Sequence, residues 1–139
     1  MNRNKISCEW WNYHADKIVV YIMLLLHVIA LCALLPSTFS WSGVVWFFVL
    51  YWVSGGLGIT LCYHRLLTHR AFKTQNWLRS VLTFCACLAM QGSPIIWVGT
   101  HRHHHKHSDK DLDPHSPIHG IMWAHMIWVL TKVPLDFFA

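Results

Sequence analysis

Two long apolar runs set the first condition on this chain, because each must be solvated by something other than water. Ile18 to Pro36 reads IVVYIMLLLHVIALCALLP, and Val44 to Tyr63 reads VVWFFVLYWVSGGLGITLCY. Each approaches the roughly 20 apolar residues that a helix needs to cross a hydrocarbon core. None of the eleven Lys and Arg residues lies between Ile18 and His64. Cationic flanks outside both runs, with none in the Ser37–Gly43 connection, predict a hairpin whose two ends face the cytoplasm. The expected fold class is an all-α membrane protein. Residues 1–17 form its cytoplasmic N-terminus, 18–36 and 44–63 its transmembrane helices, and 64–139 its cytoplasmic and interfacial helices. A signal peptide is the competing reading of the first run, but the run is too long and no small-residue cleavage site follows it.

Composition narrows the partners. The chain is 55% hydrophobic and only 12% charged, about half the charged share of a soluble domain. Its net charge of +5 is not gathered on one basic face, which argues against nucleic acid. Trp10, Trp11 and Tyr13 suit an interfacial lead-in to the first span. Cys8, Cys32, Cys62, Cys85 and Cys87 match no zinc-ribbon or knottin spacing, and Cys85-Ala86-Cys87 is one residue short of a Cys-x-x-Cys motif. No disulfide framework follows, and a reducing compartment is the plainer assumption.

Smaller signals complete the outline. Ser54, Gly55, Gly56 and Gly58 offer a small-residue surface for close helix packing. The stretch from Gln75, NWLRSVLTFCACLAMQ, reads as a helix too short to span, and Pro94 ends it. A further helix from about Ile95 carries Trp97 toward the histidines, and the apolar stretch from Ile121 reaches Lys132 and Pro134 too soon to cross a membrane. His27 sits inside the first span. It reads as a neutral histidine bonded to a neighbouring helix at least as well as a functional one, and is not taken as a ligand.

Six of the twelve histidines fall between Thr100 and His115. Imidazole is the commonest protein ligand for Fe, Zn, Cu and Ni. His101, His104 and His105 stand at i, i+3 and i+4, on one helical face, whereas His103 and His107 project from the far side. An earlier pair, His64 and His69, stands five residues apart, so on a straight α-helix the two lie about 140° from each other. Either the helix loosens between them or they reach different metals. A solvated His-rich tract explains the second group alone, but not its pairing with a first group at the end of a membrane span. A closed zinc site commonly includes cysteine, while the five candidates here are all histidine.

These motifs, His64-x4-His69 and His101-Arg-x-His104-His105, resemble those of the membrane fatty acid desaturases. The neighbouring Gly55–Thr60, Tyr63–Leu66, Thr68–Arg70, Gln91–Val98 and Ser108–Pro117 segments resemble the Δ9 branch of bacterial, cyanobacterial and plant type. The resemblance runs from about Asp16 to Leu130. It implies half of a four-span bundle and a non-haem di-iron enzyme that uses O2 and two electrons to place a cis double bond near carbon nine of a saturated acyl chain. It implies that His64, His69, His101, His104 and His105 ligate iron. Asp109, Asp113 and His115 match a segment beyond the second box and read as support for those ligands, or equally as a solvated acidic turn. Gly99-Thr100 replaces the Arg-Asp of animal acyl-CoA enzymes, which favours acyl groups on glycerolipids. With no haem domain present, electrons are expected from a ferredoxin-like donor. The family's third box, His-x-x-His-His, has no counterpart, since no histidine follows His125; the expectation is an N-terminal half, from a longer enzyme or a truncated gene product. A membrane hydroxylase of the same superfamily and a non-catalytic metal-binding protein are the alternatives.

Overall fold

The computed structural model describes residues 15–132. The interfacial reading of Trp10, Trp11 and Tyr13 and the stop at Pro134 lie outside the described residues. Among the described residues the chain is helical, with no strand beyond an isolated bridge between Ala15 and Thr131. It divides into two compact units, one of residues 15–38 with 103–132 and one of residues 39–102.

In the first unit, α1 spans Lys17–Leu31. Asp16 starts it: its carboxylate accepts from the amides of Ile18 at 3.0 Å and Val19 at 3.3 Å. Those are two of the donors that a helix start leaves unsatisfied. The Asp16 amide itself donates to the Leu130 carbonyl at 2.8 Å, so the entrance to α1 is tied to the chain's later turn. The α-helix stops at Leu31, short of the expected Pro36, and 3-10 turns follow at Cys32–Leu34 and Pro36–Thr38. Pro36 has no amide hydrogen to extend the ladder. No residue of α1 is buried, and Leu24, Leu25 and Ile29 are all exposed. A helix that is apolar on every side and uncovered by the described residues suits a hydrocarbon solvent. His27 places Nδ1 2.7 Å from the Met23 carbonyl of its own helix, so this ring nitrogen has a local partner.

The second unit opens with α2, Trp41–Tyr51, capped by Ser40, whose Oγ accepts from the Gly43 amide at 3.1 Å. The helix then widens without a break into a π-helix, Trp52–Thr68. Trp41–Thr68 and Lys17–Leu34 are the two described helices long and apolar enough to cross a membrane. Glycines in the widened stretch impose the weakest preference for the tighter α turn. Helix α3, Asn76–Cys87, packs on the π-helix through Cys62, Tyr63, Leu66, Leu82 and Ala86, the buried core of this unit. At Gly58 a Cβ would stand 2.5 Å from the backbone of Ala86, which leaves no room for a side chain. Of the small residues, Gly58 is the one pressed against another helix. Gly56 meets its own Trp52 ring, and Gly55 has nothing within 4 Å. Helix α4, Pro94–His107, begins in this unit and ends in the other, where α5, Ile121–His125, follows.

The close approach yields a test. Gly58→Ala should destabilise the protein by about 1–3 kcal/mol through overpacking against a backbone that cannot yield. Gly55→Ala should be neutral or slightly stabilising. Denaturant unfolding in detergent micelles reads the difference, and equal effects at the two positions would contradict the packing.

Candidate metal centre

The π-helix decides how the first two histidines are placed. Its amides bond five residues back, as His69 does to the His64 carbonyl at 3.0 Å. Residues five apart therefore stack along one face, as residues four apart do on an α-helix. The Thr68 hydroxyl repeats the spacing by donating to the Tyr63 carbonyl at 2.7 Å. Of the two possibilities left open by the five-residue spacing, the helix loosens. The rings of His64 and His69 come to 4.6 Å between centroids.

His101 on α4 joins them within the same unit. Its ring lies 4.9 Å from His64 and 5.7 Å from His69. One nitrogen from each of the three rings falls within 4.8 Å of the others, a spread that one ion or a close pair can bridge. Trp97, one turn back, lies against His101 at 4.8 Å and donates its indole N–H to Gln91 Oε1 at 3.0 Å. Arg102 supplies a link that spacing does not disclose. Its guanidinium donates to the carbonyls of Leu67 at 3.0 Å and Thr68 at 3.3 Å, acceptors that the end of the π-helix leaves open. The two histidine motifs are thus joined by a contact across 34 and 35 residues of chain.

His104 is organised differently, within the other unit. Its Nδ1 lies 3.0 Å from both carboxylate oxygens of Asp113, and its ring stacks on His115 at 4.2 Å. Asp113 is almost wholly buried and also accepts from the backbone amides of Asp109 at 2.9 Å and His115 at 3.1 Å. Burial pushes its carboxyl up, but the bonds from His104, Asp109 and His115 outweigh that and hold it below the usual range. It is therefore charged at neutral pH, and it favours the His104 tautomer that carries hydrogen on Nδ1. Nε2 is then the nitrogen with a lone pair to donate. Burial pushes His115 down, against the pull of the Asp113 charge, so its imidazole is neutral at pH 7. Asp109 enters this loop through its amide, at a φ of 56°. The Asp113 carboxylate thus gathers His104 and the amides of Asp109 and His115, while the exposed Asp109 contributes its backbone alone.

The remaining histidines take other partners. His103 Nε2 lies 3.0 Å from the Leu112 carbonyl and its ring 4.6 Å from His107, in keeping with their place on the far side of α4. His119 Nε2 reaches the Asp111 carbonyl at 3.4 Å. His105 is exposed, its ring 5.4 Å from that of His104, one helical turn beyond His101. Of the three histidines that the spacing places on one face, His101 and His104 fall in different groups. His101 stands with the first box, and His104 with Asp113 and His115.

Asp113→Asn keeps the volume but loses the charge. It should weaken metal binding about 10–100-fold, the usual effect of removing a carboxylate behind a ligating histidine, as read by competition with a chelator. A carboxyl whose folded pKa is depressed stabilises above its unfolded value, near 4, and loses that contribution as pH falls through the folded one. Acid unfolding should accordingly steepen below about pH 4 in the parent protein and not in Asp113→Asn.

No protein-family model matches the chain. It is 54% identical over 109 residues to the sn-1 stearoyl-lipid 9-desaturase of Anabaena variabilis, covering 78% of this chain and 40% of that protein. It is 50% identical over 103 residues to Delta-9 acyl-lipid desaturase 2 of Arabidopsis thaliana, covering 74% and 33%. An acyl-CoA C20 Delta5-desaturase of Anemone leveillei matches at 48% over 104 residues, covering 75% and 33%. The chain thus spans between 33% and 40% of the length of these curated relatives. With identity this high across most of its residues, the chain belongs to the fatty acid desaturase family.

Proposed function

We propose that this chain provides one half of a di-iron centre in an O2-dependent desaturase. The enzyme introduces a cis double bond, at Δ9, into a saturated acyl chain carried on a glycerolipid. The observation that carries the reading is the convergence of His64, His69 and His101, produced by the π-helix. The donors are imidazole nitrogens without a thiolate among them, a set that suits iron. His104, oriented by Asp113, and His105, one turn beyond His101, complete the five iron ligands offered here.

Bound iron supplies the oxidising power for hydrogen removal from an unactivated methylene, which no side-chain acid or base provides. The chain's own residues position that chemistry. Arg102 holds the end of the π-helix to α4, so His64 and His69 keep their setting relative to His101. Asp113 keeps His104 in one tautomer, with His115 stacked against it. The apolar helices Lys17–Leu34 and Trp41–Thr68 both cross the bilayer in this reading. The distribution of Lys and Arg supports a cytoplasmic setting for the histidines, where a ferredoxin-like protein delivers electrons. Gly99-Thr100 ahead of the second box supports a glycerolipid substrate over a CoA ester.

The test is expression of the encoding reading frame in a host lacking unsaturated lipids, followed by fatty-acid methyl-ester analysis. Monounsaturated chains with the double bond at carbon nine are expected on glycerolipids, together with protein-bound iron. His64→Ala and His101→Ala should each abolish the product and lower iron content. Hydroxylated chains in place of alkenes would assign the protein to oxygen insertion. Iron binding with unchanged saturated lipids would leave a metal-binding protein without this activity.

A further inference from the structure

Three oxidisable side chains of the 39–102 unit that the function above does not use form a continuous line to His101. Cys87, at the end of α3, is an exposed thiol. Its Sγ lies 3.4 Å from the hydroxyl of Tyr63, a tyrosine with no exposed surface. The Tyr63 ring lies 5.6 Å from Trp97 between centroids, and Trp97 lies 4.8 Å from His101. Tyrosine, tryptophan and cysteine are the side chains most readily oxidised by one electron. Here they are set end to end between a surface and a candidate metal ligand. Cys62 lies off this line, its thiol directed to the Thr83 hydroxyl at 3.5 Å.

We propose that Cys87, Tyr63 and Trp97 form an electron relay that discharges unused oxidising equivalents from the metal centre to a surface thiol. The inference rests on the reading of His101 as an iron ligand. In desaturation, O2 becomes two waters by taking two electrons from the donor, two protons from solvent, and two hydrogens from the acyl chain. With no acyl chain in place, those two hydrogens must come from elsewhere or the centre oxidises its own ligands. The relay draws them from two thiols: Cys87 and a small-molecule thiol together lose two electrons and two protons and form a mixed disulfide. The electrons pass through Tyr63 and Trp97 toward His101, and the protons leave to water at the exposed sulfur. Tyr63 ends each cycle with its hydroxyl hydrogen restored, between Cys87 Sγ and the Gly92 carbonyl. A thiol reductant then returns Cys87 to its starting state.

Hydrogen peroxide tests the relay without acyl chain, electron donor or desaturation. One peroxide, the Cys87 thiol and one 2-mercaptoethanol give a mixed disulfide and two waters. The detergent-solubilised protein is loaded with iron or with zinc, which binds the same imidazoles and has no redox chemistry. It is then treated with peroxide and 2-mercaptoethanol and mapped by peptide mass spectrometry. The Cys87 mixed disulfide should be about tenfold more abundant with iron than with zinc, since zinc reports only direct attack on an exposed thiol. Tyr63→Phe, at unchanged iron content, should remove that difference. Cys87→Ser, a change at an exposed position, should shift iron-dependent oxidation onto Tyr63 and Trp97, and it keeps the test open if Tyr63→Phe fails to fold. Equal Cys87 modification with the two metals, or an iron dependence that survives Tyr63→Phe, overturns the relay. Iron-dependent oxidation in a protein that leaves saturated lipids unchanged would sustain the relay and remove the desaturase reading.

Discussion

Hydrogen bonding from each amide to the carbonyl five residues back is the interaction on which this site depends. In an α-helix His64 and His69 would point well apart, and no side-chain rotation would bring both to one ion. Widening the helix stacks them on one face at 4.6 Å. A π-helix this long is uncommon, because such turns occur mostly singly inside α-helices and often at functional sites. Here it runs from Trp52 to Thr68 and delivers both residues of the first histidine motif. The same widened stretch presents Gly58 to α3, so packing and ligand placement share one stretch of backbone.

Around that stretch, polar and apolar demands are kept apart. Helix α1 and most of α2 expose Leu, Phe, Val and Trp side chains on all sides, a surface suited to lipid. Polar contacts gather instead after Tyr63: Arg102 on the carbonyls of Leu67 and Thr68, and Asp113 on His104 and two backbone amides. Each of these bonds meets a group that would otherwise be unsatisfied or wrongly oriented.

Much of this was legible in the sequence because composition and period are local properties. The apolar runs, the helix from Pro94 and the i, i+3, i+4 spacing of His101, His104 and His105 need only neighbours to be read. The five-residue spacing of His64 and His69 was legible only as a choice between a loosened helix and two metals. Local propensity does not distinguish an α-helix from a π-helix, and the contact of Gly58 with Ala86 lies on another helix, beyond the reach of neighbours in sequence. Arg102 and Tyr63 fall within the resembling segments, but their contacts left no signal, since the partners lie 24 to 35 residues away. The first run was read as helix to Pro36, while its α-helix ends at Leu31. Proline forecasts a stop but not how many residues before it the ladder unwinds.

In the proposed centre, Asp113 has one consequence for how metal would enter. The carboxylate that aims His104 also closes the loop by accepting from the amides of Asp109 and His115. These bonds use only groups of the polypeptide, so the imidazole is directed before any ion arrives. Ordering entropy at this ligand is then lost during folding and not during capture, which favours tighter retention for the same donor atom.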